Sequence, residues 1–126
     1  MIRLKRAYVQ ATDSDGSRFL VERLWPRGVR KDALKLDAWL KDAAPSTELR
    51  QWFRHDPDKW QEFMRRYFRE LDARPGVLAP ILDAVRQGRV TLVYSSHDEA
   101  HNNAVALRLY LDRELSRMRH RGKSAA

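Results

Sequence analysis

The segment Val90-Thr91-Leu92-Val93-Tyr94 constrains the fold more than any other stretch of this chain. It is a nearly continuous β-branched and aromatic run, set between two stretches whose apolar residues recur at helical spacing. A strand with one wet face alternates apolar and polar residues, and this one does not, so both of its faces are expected to be covered. Parallel strands need crossovers, and crossover helices cover the sheet faces. The expectation is an α/β fold: a small, mostly parallel sheet of three or four strands, covered by about five helices.

The flanking periodicity supplies the other elements. Ile2, Leu4 and Tyr8 suggest a first strand, interrupted in pattern by Lys5 and Arg6. Ser14-Asp15-Gly16-Ser17 is turn chemistry. Phe19, Leu20, Val21 and Leu24 read as a second strand that stops at Trp25-Pro26, because proline has no N–H for a ladder. Leu36, Trp39, Leu40 and Ala43 fall at i, i+3, i+4 and i+7, the spacing of a helical face. Pro45 ends that stretch, and Ser46 or Thr47 can cap the short amphipathic helix of Leu49, Trp52 and Phe53. Asp56-Pro57 pairs an N-cap acceptor with proline at the first helical position. Trp60, Phe63, Met64, Tyr67 and Leu71 then line one face. After Pro75-Gly76, Leu78, Ile81, Leu82 and Val85 form a further stripe that Gly88 stops. Beyond the Val90–Tyr94 strand, a polar loop from Ser95 to Asn103 leads to a last helix with Ala104, Leu107, Leu111, Leu115 and Met118 inward.

A chain of 126 residues that is 43% hydrophobic can bury one core. Residues 1–112 are expected to form one α/β domain, with 113–126 as the end of the last helix and a basic, disordered tail. The absence of cysteine excludes disulfides, thiolate metal sites and cysteine nucleophiles. The start MIRLKRAYVQ has no apolar run of signal length, and no stretch approaches the roughly 20 apolar residues of a membrane span, so the expected location is cytoplasmic and no membrane partner is expected. The net charge is +8. Arg113, Arg117, Arg119, Arg121 and Lys123 against Glu114 place half of that excess on the tail. Such a tail can hold phosphate backbones without sequence preference, or simply solvate its end.

Ligands in open α/β sheets bind outside the carboxyl ends of the strands. Two segments are expected there. In Glu22-Arg23-Leu24-Trp25-Pro26-Arg27-Gly28, Arg23 and Arg27 offer forked donors suited to carboxylate or phosphate, and Trp25 offers a stacking face. The structural alternatives are Arg23 paired with a buried carboxylate and Trp25 as core. In the polar loop, Ser95, Asp98, His101, Asn102 and Asn103 converge near a helix start. Capping by Asp98 or Ser96 would account for only one or two of them. His101 with Asp98 is the natural proton-moving pair. His97 and His101, four apart, would share a helical face and with Asp98 or His55 could approach a metal, but a lone HxxxH recurs by chance and no metal is assigned. Ser95 and Ser96 lack a GxSxG context. No GxGxxG and no GxxxxGK[ST] occurs, so no cofactor is expected.

The strings Arg23-Leu24-Trp25-Pro26-Arg27-Gly28, Ala44-Pro45-Ser46-Thr47-Glu48-Leu49-Arg50, His55-Asp56-Pro57, Val90-Thr91-Leu92-Val93-Tyr94 and His101-Asn102-Asn103-Ala104 together resemble the YeaO-like branch of the domain-of-unknown-function 488 family, over roughly residues 1–112. The resemblance implies a small bacterial or archaeal α/β protein and carries no reaction with it. Arg23, Trp25, Arg27, His101, Asn102 and Asn103 stand at its motif positions. Other members of the family carry a Cys-His-Arg cluster after the last strand. Here that place holds His101-Asn102-Asn103, which removes thiol chemistry. The expected function is binding of a small anionic or phosphate-bearing ligand by Arg23, Trp25, Arg27, Ser95, Asn102 and Asn103, with His101 and Asp98 moving protons if a reaction occurs. The alternatives are a nucleic-acid-binding protein acting through its basic surface and tail, and a metal-binding protein acting through His97 and His101. Neither an enzymatic reaction nor an oligomeric state follows from the sequence.

Overall fold

Val90–Tyr94 is the interior strand that its composition requires. In the computed structural model, which describes residues 1–125 and the side chains of 1–120, four strands form one sheet in the order β1-β4-β2-β3, and every pairing is parallel. The strands are β1 (Ile2–Arg6), β2 (Ser17–Leu20), β3 (Ala38–Trp39) and β4 (Val90–Tyr94). All five residues of β4 are buried. Five helices accompany the sheet: α1 (Lys31–Leu34), α2 (Thr47–Phe53), α3 (Trp60–Asp72), α4 (Ala79–Gln87) and α5 (Asn103–Ala125). The chain is thus a single α/β domain.

Side-chain alternation along the strands divides the core in two. Ile2, Phe19, Val21, Val90, Leu92 and Tyr94 point to one face, where Leu49, Phe53, Trp60, Phe63, Tyr67, Ile81, Leu107 and Leu111 from α2 to α5 meet them. Leu20 and Val93 point to the other face, covered by the 21–37 connection through Leu34, with Trp25, Val29, Leu36 and Trp39 packed alongside. The helical stripes expected for α3 and α4 form as read. Ser46 caps α2 by accepting from the Leu49 N–H at 3.1 Å, and Asp56 accepts from the Asp58 N–H at 3.0 Å. Met118, expected inward, is 37% exposed. Of the segment 113–126, expected as the end of the last helix and a disordered tail, residues 121–126 lie outside the described side chains.

Three other expectations are corrected. The 36–43 stretch is not a helix: it holds the short strand β3 and a 3-10 turn, Lys41–Ala43. Its apolar residues split between faces, Ala38 and Leu40 to the helical core and Leu36 and Trp39 to the other. The open edge of β2 captures it: the Asp37 N–H donates to the Arg18 carbonyl and the Leu40 N–H to the Leu20 carbonyl, both at 2.8 Å. Strand β2 ends at Leu20 rather than at Trp25-Pro26, and Leu24 is exposed. The Asn103 Nδ2 donates to the Val21 carbonyl at 2.6 Å, so that acceptor leaves the ladder. Tyr8 lies past β1, half exposed, with its hydroxyl donating to the Arg27 carbonyl at 3.0 Å.

The charges that break the pattern of β1 and β2 have partners. Lys5 and Arg18 both reach the buried Asp15, at 3.0 and 2.7 Å, and Arg18 also donates twice to the Leu34 carbonyl. A buried charge held this way is tolerated because every donor is matched. Burial pushes the Asp15 carboxyl up, but hydrogen bonds from the Thr12 backbone, Lys5, the Thr12 hydroxyl and Arg18 outweigh it and bring the pKa from 3.8 to about 2. A folded pKa below the unfolded one contributes stability that is complete above the unfolded value and is lost as pH falls toward 2. Asp15→Asn should therefore destabilise strongly at pH 7, where it strands the Arg18 charge. The gap to the wild type should shrink between pH 4 and pH 2.5 in urea unfolding.

Gly16 turns the chain into β2 at φ +67°, and a Cβ there would sit 2.1 Å from the Arg89 carbonyl oxygen. Gly16→Ala combines left-handed backbone with a clash against main chain, and should lower the unfolding free energy by about 3 kcal/mol, read from denaturant melts.

Candidate functional site

The chain leaves β2 toward the second core and leaves β4 toward α5 on the helical face, so the two carboxyl ends part. A crevice opens where neighbouring parallel strands send their connections to opposite faces. The structure holds a cavity of about 790 Å³ there. Glu22, Arg23, Leu24, Trp25, Pro26 and Arg27 form one wall; Ser95, Ser96, His97, Asp98, Asn102 and Asn103 form another. Pro45, Arg50, Phe53 and His55 close it from α2 and its flanks, with Phe63 from α3. The two segments expected at strand ends thus meet around one space, although one residue, Val21, stands between the end of β2 and the first of them.

Glu22 joins the two walls. Its carboxylate accepts from the Ser95 N–H at 2.6 Å and from the Ser95 hydroxyl at 2.7 Å. The same clamp recurs at Ser46 and Glu70, at 2.8 and 2.6 Å, where it anchors the start of a helix. Its recurrence marks it as an architectural device that leaves Ser95 little capacity for a ligand. Arg6 braces the loop from β1 through the Ser96 carbonyl at 2.9 Å and the Ser95 carbonyl at 3.2 Å. The backbone of Glu22 accepts from the Trp39 indole at 2.6 Å.

Most of the polar loop is also engaged. Asn102, 2% exposed, caps α5: its side-chain oxygen accepts from the Val105 N–H at 3.1 Å, and its amide donates to the Asp98 carbonyl at 2.9 Å. Asn103 is held by Val21, as above. Asp98 accepts from the Ala100 and His101 N–H groups, both at 2.9 Å, and faces His101 Nδ1 at 3.1 Å. The His101 and Ala100 backbone donors, with the His101 ring, hold the Asp98 carboxyl below its usual range. His101 does not line the cavity; its ring stands edge-on to Trp60 at a centroid distance of 5.4 Å. The expected His101–Asp98 pair therefore exists as a contact but presents only Asp98 to the space.

Helix α5 begins at Asn103, so His97 and His101 do not share a helical face, and the premise for a metal pair fails. His97 Nδ1 lies 3.4 Å from the Arg6 guanidinium, and His55 lines the cavity from just after α2. Among the described residues there is no group of three or more histidine, aspartate or glutamate side chains placed to hold a metal.

The arginines retain free capacity. Arg23 spends its Nε on the Pro45 carbonyl at 2.8 Å and lies 3.9 Å from the exposed Asp42. Arg27 and Arg50 have no ion-pair partner among the described residues. Three arginines and two carboxylates line the cavity, and both carboxylates are already satisfied by hydrogen bonds. The indole N–H of Trp25 donates to the Val29 carbonyl at 2.7 Å, and its ring meets Trp39 edge-on at 5.3 Å, so that side chain is fixed in place. Arg54 and His55 are consecutive left-handed residues, at φ 50° and 57°, and this turn carries His55 to the wall immediately after Phe53.

Sequence reasoning missed Glu22, Arg6 and Arg50 as site residues. The signal for Arg6 is a charge closing an apolar strand. Arg50 stood in one of the strings quoted for the family resemblance. Glu22 carries no distinguishing mark apart from its place at a strand end. Glu22→Ala should cost about 1–3 kcal/mol by leaving the Ser95 N–H unpaired. The Ser95 amide should then exchange with solvent markedly faster in hydrogen-exchange NMR, and unchanged exchange would remove the clamp from this account.

Comparison with known proteins bears out the family resemblance. The chain is 40% identical over 106 residues to the uncharacterized protein YeaO of Escherichia coli K12, covering 84% of this chain and 92% of that one. It is 39% identical over 106 residues to the uncharacterized protein Rv3073c of Mycobacterium tuberculosis H37Rv, covering 84% and 89%. No solved structure is a significant match. The family model described as the inactive DUF488-N3 subclade matches residues 1–126, and the chain belongs to that family.

Proposed function

We propose that this protein binds a small anionic ligand in the cavity at the carboxyl ends of β2 and β4, and binds it without turnover. The observation that carries the reading is the pair Arg27 and Arg50, which line the space with no internal partner. An arginine with all its donors free is the group best matched to a carboxylate or phosphate. The volume of about 790 Å³ fits a small molecule.

Binding without chemistry fits the placement of Ser95 and His101. The Ser95 hydroxyl belongs to the Glu22 clamp, and His101 turns to Trp60. Catalysis by a serine or a histidine requires the group to reach a substrate in the cavity. The description of the subclade as inactive supports the same conclusion. The tail supports nucleic-acid binding less well. Arg113 lies over the Phe68 and Tyr110 rings, and Arg117 is paired with Glu114, so two of its arginines are already engaged.

Isothermal titration with inorganic phosphate and sulfate should show saturable binding to one site. Arg50→Ala and Arg27→Ala should each weaken it by about tenfold, the equivalent of one charge-assisted hydrogen bond of ~1.4 kcal/mol. Wild-type affinity in both variants, with thermal unfolding unchanged, would place the anion elsewhere and end the proposal.

A further inference from the structure

The cavity is far larger than its charged lining requires. At about 790 Å³ it is much larger than an inorganic phosphate would fill. Beside the polar 95–103 wall, part of the lining is apolar. Phe53 and Phe63, 4% and 1% exposed, stack at a centroid distance of 4.3 Å, and both reach the cavity. Pro26 and Pro45 are buried in its lining. The Trp25 ring is immobilised by its indole bond to Val29 and its edge contact with Trp39. Leu24 also lines the cavity and is 63% exposed, an apolar side chain left open to solvent beside a space that can hold a ligand.

We infer that the ligand is an aryl anion: a flat aromatic body lying against Trp25, Leu24 and the Phe53 side of the cavity, with one carboxylate or phosphate on Arg27 and Arg50. This inference rests on the anion-binding reading above and adds the class of molecule. Rigid aromatic and proline surfaces favour a planar partner, because such surfaces lose little freedom when covered. Guanidinium groups fix the orientation of the anionic end and reject the uncharged isostere, whose arrival would leave their donors unmatched. The cavity thus combines a mainly apolar lining with a few convergent polar groups, the usual composition of a small-molecule site. Carboxylate and phosphate share this chemistry, and the test below separates them.

The full chain is titrated, by calorimetry and by heteronuclear NMR, with inorganic phosphate, methyl phosphate, phenyl phosphate, benzoate and benzyl alcohol. Phenyl phosphate should bind at least tenfold more tightly than methyl phosphate, with resonances of Leu24, Trp25 and Phe53 shifting. Benzyl alcohol should bind at least tenfold more weakly than either aryl anion. The ranking of benzoate against phenyl phosphate identifies the preferred anionic group. Leu24→Ser, a change at an exposed position, should narrow the phenyl-to-methyl ratio severalfold. Equal affinity for phenyl and methyl phosphate would overturn the aryl inference while leaving anion binding intact. Failure of every anion to bind would overturn the anion-binding reading itself, and this inference with it.

Discussion

Strand β4 must find partners for its backbone on both edges, and the rest of the molecule is arranged to supply them. β1 pairs along its whole length on one side and β2 on the other. Buried N–H and carbonyl groups that lack partners are costly, so the two flanking strands are obligatory. Parallel pairing on both sides brings the ends of three strands to the same rim. The site follows from that arrangement: a fully buried strand leaves its polar residues for its ends, and the ends of β2 and β4 lie together.

Much of this was legible because local and global preferences agreed. The uninterrupted run of β4, the Asp56-Pro57 start and the stripe from Trp60 to Leu71 each satisfy one element type, and tertiary packing adds only confirmation. The 36–43 stretch was not legible because its spacing satisfies two patterns. Leu36, Trp39, Leu40 and Ala43 suit a helical face, yet Ala38 and Leu40 also lie opposite Trp39 on a strand. The free edge of β2 decides between them, and a partner strand nearly twenty residues away cannot be read from a local window. The early end of β2 has a similar origin, since the Val21 carbonyl is taken by Asn103, far along the chain.

The site was legible in place but not in role. The two segments were expected to meet, and they line one cavity. The residues that appeared richest in chemistry, Ser95, Asn102 and Asn103, turn out to hold the rim together: one in a carboxylate clamp, one as a helix cap, one as a tether to β2. Side-chain oxygens and amides near a helix start serve the backbone as readily as they serve a ligand. Residue type cannot distinguish the two uses, because the difference lies in whether a partner stands within hydrogen-bond distance.

Unspent capacity is the better criterion. Glu22 and Asp98 are acids at the cavity, but each accepts from several donors of the chain, so they repel an incoming anion less than isolated carboxylates would. Arg6 spends its donors on loop carbonyls, and Arg18 on Asp15 and Leu34. Arg27 and Arg50 remain, lining a space that also holds Trp25, Phe53, Phe63, Pro26 and Pro45. The same test accounts for the charged residues of the sheet. Lys5 and Arg18 interrupt apolar strands because Asp15 is buried beneath them, and Arg6 does so because the β4 loop needs support. A charge in an apolar element is explained once its partner is found. Arg27 and Arg50, which have no ion-pair partner among the described residues and line the cavity, are the charges on which the anion-binding proposal rests.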